Sequence, residues 1–294
     1  MVNASDVTPD SRLQAIIAVF STGPVGVGDA LGATNASVVL PACDAAGRLL
    51  QPDKPFTAID ATFARAGQDP RGPPPNGTCK SAWMSKADGG AVWSSFTQLN
   101  AGGAAPPAAI THHVLAINVS RPWVLQRNDL WPRATASAVY VSRRWDSSRP
   151  CQNGSAAVAS GCVTASTAGE DLPDLQSHSA ASNGTYGIGE SPFVLIAIHE
   201  VPAGGWLVWE EGKYVPVSSR RFKHVETTTL GGGGGGGGGS GGGLSVTLAG
   251  APGEVVVLTA LQPRGGLGSD APEWTVHAIR QTVGKAGVVS FLVR

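Results

Sequence analysis

From about residue 91 to the end, apolar positions alternate with polar ones or run together in short stretches. These cover residues 91–99, 113–119, 137–145, 193–201, 206–217, 244–248, 254–261, 274–280 and 287–293. They are rich in Val, Ile, Trp and Tyr and are separated by Gly and Pro, which predicts strands. Residues 201–205 and 250–253 predict hairpin connections. Strands following one another without intervening helices predict an antiparallel β-sandwich.

The first sixty residues follow a different pattern. Residues 11–20 predict a short buried helix capped by Ser11. Residues 21–29, Ser-Thr-Gly-Pro-Val-Gly-Val-Gly-Asp, predict a short strand whose glycines admit another backbone or a ligand. A second helix is predicted over roughly 35–46, with Thr34 or Asn35 as N-cap, Gly47 as its stop, and Pro41 either early in it or kinking it. Turn formers dominate 48–90, and 70–77 predicts a surface loop. The expected organisation is an α/β segment over 1–60, a linker over 61–90 and the sandwich over 91–294. Two stretches lack any period. Residues 231–243 are nearly pure glycine and predict a floppy insertion between two strands. Residues 154–183 predict a second long loop.

Composition narrows the function. The 294 residues leave room for one large or two modest domains. Charged residues are only 14% and the net charge is zero, which argues against an electrostatic hold on nucleic acid. No apolar run is long enough for a membrane span. Six asparagines, Asn3, Asn35, Asn76, Asn118, Asn153 and Asn183, open Asn-X-Ser/Thr triplets. That is well above chance and points to N-glycosylation in the secretory pathway, with Asn118 the weakest acceptor because it lies in an apolar strand pattern. The start of the chain lacks a basic-then-apolar leader, so secretion implies upstream sequence carrying the signal. Cys151 and Cys162 bracket a loop and suit a disulfide staple, leaving Cys43 and Cys79 as a second pair, although spacing alone permits three connectivities.

Candidate chemistry is sparse. Asp29 sits after a Gly-rich strand and before a helix, where α/β units bind ligands; a turn or capping acid is the plainer reading. Glu200, Glu210 and Glu211 lie on one predicted hairpin and read as a solvated edge rather than a catalytic pair. His112 and His113 alternate faces of a strand and cannot easily share a metal. The eight tryptophans include Trp206 and Trp209, of which at most one lines an exposed, sugar-stacking face. Residues 213–224 form a small basic run that reads as a solvated loop. No metal-ligating spacing, phosphate loop or cofactor motif is present.

Residues 13–29, Leu-Gln-Ala-Ile-Ile-Ala-Val-Phe-Ser-Thr-Gly-Pro-Val-Gly-Val-Gly-Asp, carry a resemblance. So does the phrase Asp44-Ala45-Ala46-Gly47-Arg48-Leu49-Leu50-Gln51-Pro52-Asp53. Together they resemble the last βα unit of the catalytic (β/α)8 barrel in the glycosidase clan of α-galactosidases (melibiases) and raffinose-synthase-like enzymes. The predicted sandwich resembles the one appended to such barrels. The resemblance implies the C-terminal part of a secreted retaining glycoside hydrolase acting on carbohydrate. Its nucleophile and acid/base aspartates would lie on earlier strands of an upstream barrel domain. No residue here matches either catalytic role; Asp29 alone matches the late-strand Asp at the sugar-binding mouth. The alternative is a secreted, non-catalytic β-sandwich module that binds glycans or a protein. If residues 11–60 are an orphaned barrel unit, their apolar faces should be left uncovered.

Overall fold

The computed structural model describes residues 11–59, 91–99, 109–117, 130, 140–146, 163–166, 193–201, 205–229, 242–264 and 273–293. These form a mainly β protein with antiparallel sheets. Helix α1 spans Ser11–Phe20, and α2 (Ala36–Val39) leads into a 3-10 turn over Leu40–Ala42. The strands are β1 (Thr57–Ala58), β2 (Ala91–Leu99), β3 (Ala109–Ile117), β4 (Tyr140–Asp146), β5 (Val163–Ser166) and β6 (Phe193–Glu200). They continue with β7 (Leu207–Glu210), β8 (Phe222–Thr229), β9 (Gly242–Ala249), β10 (Val255–Arg264), β11 (Glu273–Thr282) and β12 (Val288–Val293).

A six-stranded sheet has the order β1-β2-β3-β6-β4-β5. Its central strands β3 and β6 pair in register from Ile110↔Glu200 to Ile117↔Phe193. β6 is buried along its whole length, which accounts for its continuous apolar run, Phe-Val-Leu-Ile-Ala-Ile. One face of this pair carries Leu115, Ile117, Phe193 and Leu195, and α1 packs there through Leu13, Ile16, Val19 and Phe20. Burying each of these large side chains contributes roughly 1.5–3 kcal/mol. Phe20 stacks on Phe56, with ring centroids 4.2 Å apart.

Two smaller sheets, β11-β10-β7 and β12-β9-β8, contribute to one further core. Val225, Leu244, Val246 and Leu248 meet Trp209, Val256, Leu258 and Ala260 there. Leu99 and Val201, just at or beyond the ends of β2 and β6, also belong to this core, so the α1-covered face of the large sheet runs on into it. The expected hairpins at 201–205 and 250–253 are not hairpins: β6 and β7 lie in different sheets, as do β9 and β10. The connections cross between sheets because each flanking strand finds its partners elsewhere.

The N-terminal segment departs from expectation in three ways. Residues 21–29 form no strand, and a Cβ placed at Gly26 or Gly28 meets nothing within 4 Å. The second helix stops at Val39, with Asn35 Oδ1 capping it by accepting from Ser37 N at 3.0 Å. Asp44–Arg48 is instead a tight turn: Asp44 Oδ1 accepts from Ala46 N and Arg48 N, both at 2.9 Å. Gly47 supplies its left-handed residue, φ +78°. Lastly, Ser11 lies inside α1 and does not precede it.

Residues 36–56 are tied to the β part. Tyr214 donates its hydroxyl to Val38 O at 2.9 Å, and Lys213 Nζ reaches Leu40 O and Cys43 O. Ser218 Oγ donates to Gln51 O, Ser219 Oγ to Asp53 Oδ1, and Gln98 N to Asp53 Oδ2. The apolar face of α1 is therefore covered, contrary to the picture of a wholly orphaned unit. Residues 26–37 are exposed throughout, Val27 and Leu31 among them.

Candidate functional site

The densest polar cluster is built on Arg221, on the turn before β8. Its guanidinium is fully buried and holds two carboxylates. Nε and Nη2 donate to Glu210 Oε2 and Oε1, both at 2.9 Å. Nη1 and Nη2 donate to Glu254 Oε2 and Oε1 at 2.9 and 2.7 Å, and Nη1 also reaches Ala249 O. Paired forks of this kind are the strong geometry for an Arg–carboxylate contact. Burial works against the Arg221 charge, but the bonds to Glu254 and Glu210 outweigh it and hold its pKa above the ordinary range. Burial also raises the Glu254 carboxyl, but there the Arg221 bond and the backbone N–H groups of Ala251 and Ala45 win and bring it down. For Glu210, burial prevails over the pull of Arg221 and the pKa is raised. Through Ala45 N, Glu254 also ties the Asp44 turn to β10's entry.

A second cluster lies on the large sheet. The α1-facing side carries Thr97, Thr111, His113 and His199, all buried. Thr111 Oγ1 bonds His199 Nδ1 at 2.9 Å, and Thr97 Oγ1 bonds His113 Nε2 at 3.3 Å. Phe20 meets His113 edge-on, and His199 stacks on Trp209 at 5.3 Å. Burial drives the pKa of His113 well below 6.5, with His199 and His112 adding to it. On the opposite face His112 Nε2 bonds Glu200 Oε1 at 2.8 Å. The histidines do diverge as strand alternation requires.

The solvated reading of the acids is overturned, and that of the basic run holds for Arg220 and Lys223, which are exposed, but not for its centre. Glu200, Glu210 and Glu211 are all buried. Glu211 accepts from Trp209 Nε1 and Thr259 Oγ1. Tyr214, Val215, Val217, Ser218 and Arg221 of the basic run are buried too. Trp206 and Trp209 both lie in the core, so neither lines an exposed face. Sequence reasoning missed Arg221 and Glu254. The one available signal was an excess of acids inside apolar strands, which demands a buried cation.

Asp29 is exposed, on the open segment, and among the described residues no polar cluster includes it. Cys43 is buried, and its Sγ donates to Val39 O at 3.8 Å. Burial raises its pKa. Cys79, Cys151 and Cys162 lie outside the described residues, as do Asn3, Asn76, Asn118, Asn153 and Asn183. Asn35 is exposed. Among the described residues no group of three or more His, Cys, Asp or Glu side chains is placed to hold a metal, and no helix is long and apolar enough to cross a membrane. Compared with family models, with curated proteins and with solved structures, the chain matches none.

Proposed function

We propose that this chain is the C-terminal part of a secreted, retaining, α-galactosidase-like glycoside hydrolase, and that it has no turnover alone. The two small sheets and their shared core are read as the appended β-sandwich, and residues 22–33 as the last barrel strand and its exit. The supporting observation is that this stretch is open on a well-covered protein. Two of the seven large exposed apolar side chains among the described residues, Val27 and Leu31, lie in it, and two more, Ile17 and Leu40, flank it. Glycines 26 and 28 face empty space there, and Asp29 follows them. Neighbouring barrel strands would cover such a stretch and place Asp29 at the sugar-binding mouth. The buried acids of the β part are committed to Arg221, His112, Trp209 and Thr259. They are therefore poor candidates for the two carboxylates that a retaining mechanism requires. Exposed Asn35, inside its triplet, fits passage through the secretory pathway.

The test has two arms. This chain should leave aryl α-galactosides intact, and measurable hydrolysis refutes the reading. Upstream genomic sequence should encode repeated βα units with two strand-end aspartates. Another β-domain in that place favours the glycan- or protein-binding alternative instead.

A further inference from the structure

Asn35 stands at the start of α2 with its backbone extended, φ −84° and ψ 102°. The two ends of its side-chain amide have different surroundings. Oδ1 accepts from Ser37 N at 3.0 Å and from Ser37 Oγ at 2.8 Å. A backbone N–H can only donate, so the atom it faces is the oxygen, and the amide nitrogen points the other way. Among the described residues Nδ2 has no hydrogen-bond partner. It also has room. Residues 26–37 are exposed without a break, and a Cβ built on Gly32 meets nothing within 4 Å. The main chain here is nevertheless held. Asn35 O accepts from Val38 N and Val39 N at 3.0 and 3.2 Å, and Val38 O accepts from the Tyr214 hydroxyl at 2.9 Å.

We propose that Asn35 Nδ2 carries an N-linked glycan and that Oδ1 of the same side chain goes on capping α2 beneath it. The inference rests on the secretory passage proposed above, and not on what covers residues 22–33. Asn35-Ala36-Ser37 is the acceptor triplet. The amide nitrogen attacks the anomeric carbon of a lipid-diphosphate-linked oligosaccharide. A C–N bond forms as the C–O bond to the diphosphate breaks; the lipid diphosphate leaves with that electron pair, and the nitrogen loses one proton. The carbonyl oxygen and the Ser37 hydroxyl are not consumed. The fold asks only for Oδ1, as the partner of an otherwise unpaired N–H in the first turn. A glycan on the other end of the amide therefore displaces nothing. It also sets a boundary, because any neighbour packed on residues 22–33 must leave the start of α2 open.

The test uses the full chain behind a cleavable secretion leader in a eukaryotic host. The leader supplies entry into the secretory pathway, so an empty site there is a failure of Asn35 and not of the secretory reading. Trypsin frees residues 13–48, in which Asn35 opens the only triplet. Enzymatic release of the glycan in heavy-oxygen water should turn Asn35 into labelled Asp in most molecules, and Ser37→Ala should abolish the label. Material retained inside the cell is read the same way, since digestion needs no folded protein. Asn35 recovered unmodified overturns the inference, whatever the other triplets carry. The cap is read separately, by amide exchange at Ser37. The glycosylated wild type should be protected as well as Asn35→Asp, which keeps an oxygen acceptor and loses the glycan. Asn35→Gln, longer by one methylene, should exchange about threefold faster or more. A glycosylated chain that exchanges as fast as Asn35→Gln refutes the shared role.

Discussion

At the scale of single residues, two buried groups govern stability. Arg221 offsets two carboxylates that have left water, so losing it costs far more than a surface charge would. Arg221→Met leaves Glu210 and Glu254 unpaired and should lower stability by about 3–5 kcal/mol, measured as a urea midpoint at constant slope. His113 sets an acid limit. Its folded pKa lies well below the unfolded value of 6.5, because burial disfavours its charged form. The unfolded chain therefore takes up a proton first as pH falls. Stability should be full above pH about 6.5 and decline below it toward the folded pKa, by up to about 1.4 kcal/mol per pH unit. Glu254, with a lowered pKa, adds loss in the same direction at lower pH, while Glu210, with a raised one, opposes it. His113→Gln keeps a polar partner for Thr97 and should flatten the decline between pH 6.5 and 5. An unchanged slope would mean that another group carries it.

At the scale of elements, α1 and the open segment after it should respond in opposite ways. Phe20→Ala removes a buried ring packed on Phe56 and His113 and should cost about 3–5 kcal/mol. Leu31 is 106% exposed, so Leu31→Asp should change stability by no more than about 0.5 kcal/mol. Strands with an unbroken pattern were legible before any coordinates: β2 and β6 fall where their apolar periods place them. β8 was not, because a register shift between Phe222 and His224 breaks the period of two, and its Lys and His suggest a loop. Residues 21–29 have strand composition but pair with no strand among the described residues, and a strand exists only in a sheet. The glycine tract expected to be an insertion over 231–243 ends in β9: Gly242 and Gly243 pair with Thr229 and Thr228. Replacing residues 230–241 with Asn-Gly keeps that register. It should raise stability by about 1–2 kcal/mol through lower loop-closure entropy, read by thermal melting.

At the scale of the molecule, the two cores behave as one body. Leu99 and Val201 run from the large sheet into the second core, and His199 stacks on Trp209 across the junction. Unfolding followed by tryptophan fluorescence and by far-UV circular dichroism should give coincident single transitions; separated midpoints would show that the sheets melt independently. The mainly β class was legible because alternation is a local signal. The polar clusters were not, because their members are distant in sequence. Glu210, Arg221 and Glu254 come together only through the sheets, and nothing around Arg221 in its basic run marks it as a core residue.

The clasp between the early turn and the late strands constrains how the protein is made. Ala45 donates to Glu254, and Val38 accepts from Tyr214, across separations of 209 and 176 residues. A chain emerging from the ribosome holds the first half of each contact long before the second half exists. Helix α1 must therefore wait, with apolar surface in solution, until β3 and β6 have been made, and the Asp44 turn until β10 has. Chaperone dependence during synthesis follows from that delay, and so does a sharp fall in soluble yield for any chain ended before β10.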